Sequence, residues 1–465
     1  MRKLSGVEEF LSAGSSGLAN ASLDCPFCGK THYVPIQIIQ IGRGIIKDVP
    51  QVVEKLLGRI PEKTTLIYDK AIEDIIQQSI IQPLSDEGFH PTPVPVGQSG
   101  FLLECETDLA NHVADQLDPQ TDIIIGAGSG VIGDMTKWIA GRVNKPFILI
   151  GTAPSMNGHA SITAVMTHHD IKTSEWLPPA GAVIYDVDIL ANAPIPMLHA
   201  GMGDLAARAV CNADWKLSNL LRNTYFCPLP YQMTAENEKR YLEQAEKIGK
   251  SDPEAIYILS ETILLSGLSM TVLEGETSPS SGAEHIISHF WDFLSHIRGI
   301  PKDFHGSQVG VACMLTMTLY DYIRKIDPAQ IHPEKLLQTR PTLRQIQDEN
   351  EKMYGKNATD FNQNAIQKYI SDDQYLQYLY QIKQNWHHIW NQVDPFLAKP
   401  ETFRQAFEKA GFPLVLSRVQ KTRDHAREAL MFGNRYRSRY TILDFAWEIG
   451  IFPDAIEEII ELSRV

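Results

Sequence analysis

Residues 122–137 read Asp-Ile-Ile-Ile-Gly-Ala-Gly-Ser-Gly-Val-Ile-Gly-Asp-Met-Thr-Lys, and this stretch decides the fold class. An apolar β-branched run enters a glycine-rich turn, and a helical pattern begins near Val131. Because glycine has no Cβ, the backbone amides of Gly128, Ser129 and Gly130 can approach a pyrophosphate at the helix N-terminus. The alternative is a tight turn that only packs the helix on the strand. The stretch therefore predicts an α/β unit of the nucleotide-binding kind.

The pattern around this stretch extends the prediction to a whole domain. Candidate strands are 36–41, 65–69, 122–125, 147–150 and 182–186, with candidate helices at 71–80 and 107–116 between them. Strands that alternate with helices predict a mostly parallel sheet. The proline-rich stretch 90–96 predicts an edge strand or a linker. We expect a Rossmann-like α/β domain over residues 1–195.

After residue 195 only helical periodicity continues. Long apolar helices are predicted at 254–273 and 309–323, and apolar residues between 375 and 389 recur at spacings of three and four. That spacing places them on one face of a helix. We expect an all-helical domain over residues 196–465.

Composition narrows the possible partners. The 465 residues include 42 Lys and Arg against 56 Asp and Glu, a net charge of −14. An acidic chain repels phosphate backbones, so we expect no nucleic-acid partner. No apolar run has the length of a membrane helix, and the first residues lack an apolar signal-peptide core. With only 6 Cys, the chain is typical of a reducing compartment, and we expect a cytoplasmic protein.

Further polar residues follow other predicted strands. Asp69 ends the strand 65–69, where a carboxylate can bind ribose hydroxyls and repel a 2′-phosphate, which favours NAD over NADP. The alternative role for Asp69 is an N-cap. Thr152 and Ser155 follow the strand 147–150, and their hydroxyls belong to the same sheet end, where ligands collect.

Three positions after residue 195 could hold a metal. Gly-Met-Gly-Asp204 predicts an acid in the first turn of a helix, which could equally be a cap. His285 and His289 lie at i and i+4 on one helical face, and His305 precedes a glycine. One Asp with two His suits Zn²⁺, Ni²⁺ or Fe²⁺ and leaves positions open for substrate oxygens. Such a metal would polarise a carbonyl or stabilise an alkoxide.

Taken together, these motifs resemble the superfamily of iron-containing alcohol dehydrogenases, glycerol dehydrogenases and dehydroquinate synthases. The stretches Thr-Ala-Pro-Ser-Met-Asn-Gly from residue 152, Ala-Asp-Trp-Lys-Leu-Ser from 213 and Arg-Tyr-Thr-Ile-Leu-Asp from 439 are most similar to the bacterial sn-glycerol-1-phosphate dehydrogenases. The resemblance implies reversible reduction of dihydroxyacetone phosphate with a nicotinamide cofactor and one divalent metal. It implies a small phosphorylated triose or polyol as substrate, and we expect a homo-oligomer.

The resemblance also implies roles for individual residues. Asp204, His285 and His305 match the metal ligands, and His289 matches a second histidine that faces the active cleft. Asn157 stands where related polyol dehydrogenases place an Asp near substrate. The implied cofactor contacts are Asp69, Gly128, Ser129, Gly130, Asp134, Lys137, Thr152 and Ser155. We expect His289 or a cofactor ribose hydroxyl to relay the proton, and Asp204 to be essential for catalysis.

Two departures from the family pattern affect these expectations. The loop Gly130-Val-Ile-Gly-Asp134 is more similar to that of dehydroquinate synthases. Ser278 stands where glycerol-1-phosphate enzymes carry an Arg that could hold the substrate phosphate. We consider Lys172 and Lys216 as substitutes. The segment from about 330 to 400 is longer than the family requires.

The N-terminal Cys25-Pro-Phe-Cys28-Gly-Lys-Thr-His32 has the form of half a zinc site. A second C-x-x-C is absent from the sequence. The open interpretations are a Cys-Cys-His structural metal site, a redox pair, or a surface turn without metal.

Two functions compete with the dehydrogenase hypothesis. A dehydroquinate-synthase-like cyclase would use NAD without net change in NAD(H). A non-catalytic protein could keep the fold and bind a protein partner. Net NAD(H) turnover with a polyol phosphate distinguishes the dehydrogenase from both.

Overall fold

The computed structural model describes residues 1–98, 103–168 and 171–465. They form two compact units that interleave along the chain. The first unit comprises residues 1–205, 227–277 and 409–411, and the second comprises 206–226, 278–408 and 412–465. Each unit thus draws on several stretches, whereas the predicted domains meet at one point after residue 195. That boundary stays a prediction.

Strands and helices alternate through the first unit. They are β1 (Arg2–Lys3), α1 (Val7–Ser12), α2 (Gly14–Leu18), β2 (Ala21–Asp24), β3 (Thr31–Tyr33), β4 (Ile38–Gly42), α3 (Val49–Leu57), β5 (Thr64–Asp69), α4 (Glu73–Ile76), α5 (Gln82–Asp86), β6 (Thr92–Val96), α6 (Thr107–Gln116), β7 (Ile123–Gly128), α7 (Gly130–Val143), β8 (Phe147–Gly151), β9 (Thr163–His168), β10 (Ile171–Trp176), β11 (Ala182–Asp186), α8 (Val187–Leu190) and α9 (Ile195–Ala206).

A parallel sheet organises this unit. Its strand order is β4-β11-β8-β7-β5-β6, and every neighbouring pair is parallel. β7 is buried along its whole length, as a run of isoleucines covered by helices on both faces requires. β6, with Pro93 and Pro95, is an edge strand, which confirms one of the two expectations for the proline-rich stretch.

The order in which strands are added to the sheet reverses between β5 and β7. β5 leads to β6 at one edge, whereas β7 leads through β8 to β11 on the other side. Ligands in open parallel sheets bind at such a switch point, outside the carboxyl ends of the strands. Asp69 ends β5 and Gly128 ends β7, so both stand at this place.

Short elements outside the large sheet were not predicted. β1, β2 and β3 form a three-stranded sheet near the N-terminus, and β9 and β10 form an antiparallel hairpin. Strands of two to six residues carry too few alternating positions for a periodic signal to stand out from turns. The predicted helix 71–80 is divided into a 3₁₀ turn, α4 and a π turn at Gln77–Ile81.

The remaining elements are helical, as expected. They are α10 (Arg208–Arg222), α11 (Leu229–Glu243), α12 (Ala245–Ile248), α13 (Pro253–Thr271), α14 (Ala283–Arg298), α15 (His305–Ile323), α16 (Pro333–Thr339), α17 (Leu343–Tyr354), α18 (Ala358–Lys368), α19 (Asp372–Val393), α20 (Pro400–Lys409), α21 (Arg423–Phe432), α22 (Ile442–Glu448) and α23 (Ile456–Ser463). α13 belongs to the first unit with α11 and α12, and the others lie mainly in the second. The apolar stripe of α19 is buried, which confirms its predicted core role.

Across the part of the chain that the structure describes, no helix combines the length and hydropathy needed to cross a membrane.

Candidate active site

The glycine loop joins β7 to α7 by close packing. An ideal Cβ on Gly130 would lie 2.6 Å from Met156 Cε, and one on Gly133 would lie 2.7 Å from His159 Cδ2. Only glycine allows these approaches. The packing role weighed for the loop is therefore present, and it leaves the N-terminus of α7 directly after Ser129. A helix N-terminus favours a bound anion.

Asp134 and Lys137 support this loop from within the protein. Lys137 is fully buried, and its ammonium donates to Asp134 Oδ1 at 3.0 Å, Gly158 O at 2.6 Å and Thr163 O at 2.8 Å. Asp134 Oδ2 accepts from the Val165 amide at 2.9 Å. Three acceptors use the three protons of the ammonium, so Lys137 shapes the loop. Direct contact of Asp134 or Lys137 with a cofactor stays a prediction.

His159 is a positioning residue that the sequence analysis did not single out. Its Nδ1 lies 2.7 Å from Tyr185 Oη, and its ring hydrogen-bonds to the backbone of Ser129 and Gly128. Burial, reinforced by the charge of Lys137, lowers the pKa of His159 to about 4. A neutral imidazole thus holds the glycine loop. Its place two residues after Asn157 was the available signal.

The loop after β8 lies beside the glycine loop. The Thr152 amide donates to Gly128 O at 3.0 Å, and Thr152 and Ser155 are buried. The Asn157 amide donates to Asp204 Oδ2 at 3.0 Å, and its side-chain amide donates to Ser266 Oγ at 3.1 Å. The structure therefore brings Asn157 and Asp204 together.

Asp69 is an N-cap, which was the alternative to ribose binding. Its Oδ1 accepts from the Ala71 amide at 2.9 Å and caps the turn after β5. Binding of ribose by Asp69 stays a prediction.

Asp204 does not lie in the first turn of a helix, and that expectation was wrong. α9 begins at Ile195, so Asp204 lies near its C-terminal end. The Gly-Met-Gly pattern has another cause, because an ideal Cβ on Gly201 would lie 1.8 Å from Pro154 O. The glycine lets α9 pack directly on the loop after β8. Asp204 is buried there.

Three histidines meet in the second unit. His285 and His289 lie on α14, and His305 begins α15. The ring centroid of His305 lies 5.1 Å from that of His285 and 5.0 Å from that of His289. His285 Nδ1 lies 2.9 Å from Glu284 Oε1, and His305 Nδ1 lies 3.3 Å from Ser288 Oγ. A carboxylate behind the Nδ1 atom, as Glu284 is for His285, is typical of metal-binding histidines.

Asp214 holds the helices that carry these histidines. It is buried, and it accepts at 2.7 Å from the Ala283 amide, the Ile442 amide and Tyr320 Oη. These bonds join α10 to the beginnings of α14 and α22 and to α15. Burial and the charge of Glu284 raise the pKa of Asp214 to about 7.

Arg437 is a second residue that the sequence analysis missed. Its Nη2 lies 3.4 Å from His289 Nδ1, and its guanidinium lies 5.4 Å from the centre of the Tyr436 ring. Among the described residues no carboxylate lies within ion-pair distance of Arg437, whereas the nearby Arg435 pairs with Glu349 at 2.7 Å. A cation beside a histidine without a protein counter-charge can receive an anionic ligand.

Neither lysine considered for the phosphate has a comparable setting. Lys172 lies half-buried on β10, opposite Thr167 of β9. Lys216 lies 4.9 Å over the Phe226 ring and donates to Asn219 Oδ1 at 3.4 Å, and burial lowers its pKa. Ser278 is buried. Phosphate binding by either lysine stays a prediction.

Comparison with known proteins identifies relatives of the chain. Residues 40–194 match the family model described as iron-containing alcohol dehydrogenase. Glycerol-1-phosphate dehydrogenase (NAD(P)+) of Halalkalibacterium halodurans is 31% identical over 297 residues, covering 63% of this chain and 73% of the relative. The enzyme of the same name from Bacillus subtilis is 30% identical, covering 64% of this chain and 75% of the relative.

Solved structures agree on the fold. A probable glycerol dehydrogenase from Sinorhizobium meliloti superposes with a TM-score of 0.59 at 16% identity, covering 92% of this chain and 97% of that one. Sulfoacetaldehyde reductase from Bifidobacterium kashiwanohense, solved with NAD⁺, superposes with a TM-score of 0.54 at 13% identity, covering 88% and 94%.

The fold and these relatives define an oxidoreductase of the iron-containing alcohol dehydrogenase class, which is NAD(P)-linked and metal-dependent. Within this class, the chain belongs to the glycerol-1-phosphate dehydrogenase family. The chain is therefore an enzyme, and the non-catalytic alternative falls away.

Proposed function

We propose that this enzyme interconverts dihydroxyacetone phosphate and sn-glycerol 1-phosphate with a nicotinamide cofactor and one divalent metal. The observation that carries the proposal is the group formed by His285, His305, His289 and Arg437. It combines two imidazoles suited to a metal with a cation suited to a phosphate. Family membership supports the same reaction.

We assign the metal to Asp204, His285 and His305, each of which offers one ligand atom. The residues fit a divalent cation, because Glu284 Oε1 and Ser288 Oγ lie at hydrogen-bond distance behind the Nδ1 atoms of His285 and His305, as polar groups do behind metal-binding histidines. When bound, the metal supplies Lewis-acid polarisation of the substrate carbonyl. Zn²⁺, Ni²⁺ and Fe²⁺ all suit one carboxylate with two imidazoles.

His289 is suited to orient the oxygen that is protonated. Because Arg437 is always a donor, His289 Nδ1 accepts from it, and the neutral imidazole then carries its proton on Nε2. In the reductive direction this Nε2–H would donate a hydrogen bond to the substrate oxygen, which would take its proton from solvent through a cofactor ribose hydroxyl. Asn157, bound to Asp204 and Ser266, presents an amide for a substrate hydroxyl.

Arg437 is our choice for the substrate phosphate. A guanidinium can donate two parallel hydrogen bonds to phosphate oxygens, which a lysine cannot do. This assignment accounts for Ser278 at the position where related enzymes were expected to carry an Arg. Lys172 and Lys216 are the alternatives.

The cofactor would bind at the switch point of the sheet. The backbone amides of Gly128, Ser129 and Gly130 would donate hydrogen bonds to its pyrophosphate. Thr152 and Ser155 lie in the adjacent loop. Asp69 ends the neighbouring strand β5, where its Oδ2 would accept from a ribose hydroxyl, so we favour NAD over NADP.

We further propose a cytoplasmic enzyme, because none of the six cysteines, all of which lie in the described part of the chain, forms a disulfide. A homo-oligomer stays a prediction, to be tested by light scattering of the purified protein.

The first experiment follows NADH oxidation with dihydroxyacetone phosphate and with unphosphorylated dihydroxyacetone. The chelated enzyme is refilled in turn with Zn²⁺, Ni²⁺ and Fe²⁺. Strong preference for the phosphate is expected with at least one metal. Activity on neither compound would overturn the substrate assignment and direct the search to another polyol phosphate. An unchanged NADH concentration while substrate is consumed would favour the cyclase.

A variant tests the metal assignment. Asp204→Ala should lose the metal of the proposed reaction and turnover together, while Asp188→Asn, at an acid of the same unit that pairs with Arg43, should keep both. Full activity of Asp204→Ala would contradict the assignment.

A further inference from the structure

Four metal-ligating side chains from distant parts of the sequence meet in the first unit. Cys25, Cys28 and His32 come from the N-terminal β2–β3 hairpin, and Cys227 lies just before α11. One ligand atom of each lies within 4.8 Å of the others. The sequence supplied only half of a zinc site here, and Cys227 completes a set of four.

The distances fit one tetrahedral ion. Cys25 Sγ lies 3.7 Å from Cys227 Sγ, and His32 Nε2 lies 3.3 Å from Cys28 Sγ and 3.5 Å from Cys227 Sγ. Zinc–sulfur bonds of about 2.3 Å and zinc–nitrogen bonds of about 2.0–2.1 Å in a tetrahedron place sulfurs about 3.8 Å apart and sulfur and nitrogen about 3.6 Å apart. A disulfide would require about 2.05 Å between sulfurs.

The local backbone prepares this geometry. The Cys25 amide donates to Lys30 O at 2.8 Å, and the Gly29 amide donates to Cys25 O at 3.0 Å. Gly29 has φ +72°, a left-handed conformation that favours glycine. This tight turn directs Cys25 and Cys28 to the same side, as in the knuckles of zinc ribbons.

His32 is oriented from outside the cluster. Its Nδ1 lies 2.9 Å from the carbonyl oxygen of Val272, at the end of α13. A proton on Nδ1 donates to that carbonyl and leaves the Nε2 lone pair facing the sulfurs. Metal-binding histidines have this arrangement. Cys25, His32 and Cys227 are buried and Cys28 is half-buried, so the site is closed in the manner of structural zinc.

We propose that Cys25, Cys28, His32 and Cys227 bind a structural zinc ion. Three thiolates and one imidazole select zinc over magnesium or calcium, which prefer oxygen ligands. The ion would tie the N-terminal sheet to the segment before α11. This ion would be separate from the metal of the proposed reaction, which uses one carboxylate and two imidazoles. The proposal of a structural zinc does not depend on that reaction.

The test measures zinc in the purified holoenzyme by elemental analysis, before and after mild chelation. We expect wild type and Asp204→Ala to retain about one zinc per chain after chelation, because a closed thiolate site releases zinc slowly. Cys28→Ser and Cys227→Ser should lose it. Cys105→Ala, at a buried cysteine elsewhere in the same unit, is the matched control and should retain it.

A second measurement does not require a folded variant. Titration of wild type with an organomercurial should release this zinc in proportion to the thiols that react, and the Co²⁺-substituted protein should show thiolate-to-cobalt charge-transfer absorption. A wild type without chelation-resistant zinc would overturn the proposal. So would unchanged zinc in both Cys variants, or a Cys25–Cys28 disulfide in the protein as isolated.

Discussion

Arg437 is the residue on which phosphate specificity depends in our proposal. Arg437→Met should raise KM for dihydroxyacetone phosphate about 10- to 100-fold, because a charge-assisted hydrogen bond contributes about 1.5–3 kcal/mol. The constants for unphosphorylated dihydroxyacetone should change little. Arg435→Met is the matched control, since Arg435 already pairs with Glu349. Equal losses with both substrates would show that Arg437 only supports the fold.

His159 gives the first unit a specific sensitivity to acid. Its pKa is about 4 in the folded protein, against an ordinary value of 6.5. The unfolded chain therefore binds the proton first as pH falls, so the stability that neutral His159 provides is complete above 6.5 and is lost towards 4. From about pH 7 to about pH 5 this loss amounts to about 2 kcal/mol.

The variant His159→Gln should lack this component. Urea unfolding of both proteins at the two pH values measures the difference. The same acid destabilisation in the variant as in wild type would show that another group is responsible.

At the level of elements, the glycine loop depends on the contact between α7 and His159. Gly133→Ala places a methyl group 2.7 Å from an imidazole that Tyr185 holds in place. The loop must then shift, and we expect NADH affinity to fall at least about tenfold, which corresponds to about 1.4 kcal/mol. NADH fluorescence titration measures this change.

Gly141 on the same helix offers the control. An ideal Cβ there would lie 3.4 Å from Pro178 Cδ and 3.6 Å from Leu177 Cδ2, both ordinary contacts. Gly141→Ala should bind NADH normally and be about 0.5–1 kcal/mol more stable, because alanine favours a helix over glycine. Equal effects of both substitutions on NADH affinity would contradict the role of the His159 contact.

Asp214 couples the helices that carry the histidine group. Asp214→Ala leaves two amides and the Tyr320 hydroxyl without their acceptor, at a cost of about 3–5 kcal/mol in the free energy of unfolding. Because α14 begins at one of these bonds, metal affinity should fall as well, by about 10- to 100-fold. Tyr320→Phe removes one bond and should cost about 1 kcal/mol. Urea unfolding and metal titration check both variants, and unchanged metal affinity in Asp214→Ala would refute the coupling.

Taken over the whole molecule, our proposal assigns the cofactor and the metal to different sets of residues. The glycine loop and β5 would bind the cofactor, whereas Asp204, His285 and His305 would hold the metal. Removal of the catalytic metal should therefore lower turnover at least about 100-fold while changing the NADH dissociation constant less than about twofold. If removal of the metal abolished NADH binding together with turnover, this separation would be wrong.

Sequence patterns were sufficient for the features that depend on residues close together in the chain. Periodicity and the glycine turn were sufficient for the parallel sheet and the helices α13, α15 and α19, because near neighbours in the chain define them. The pattern left β6 open between an edge strand and a linker, and it ended the strand before the glycine turn at 125, whereas β7 continues to Gly128. Asp204 was assigned to the wrong end of its helix, because close packing against Pro154, and not a helix start, requires Gly201.

Which distant residues meet depends on how the chain packs. Cys227 joins His32 across 195 positions, and Arg437 joins His289 across 148. A cysteine before a helix and one arginine among several have no local signature, since their roles come from neighbours that folding brings to them. His159 was hidden for a related reason, because its role appears only when the glycine loop packs against it. Local patterns therefore determined the framework, and packing selected the side chains that complete its sites.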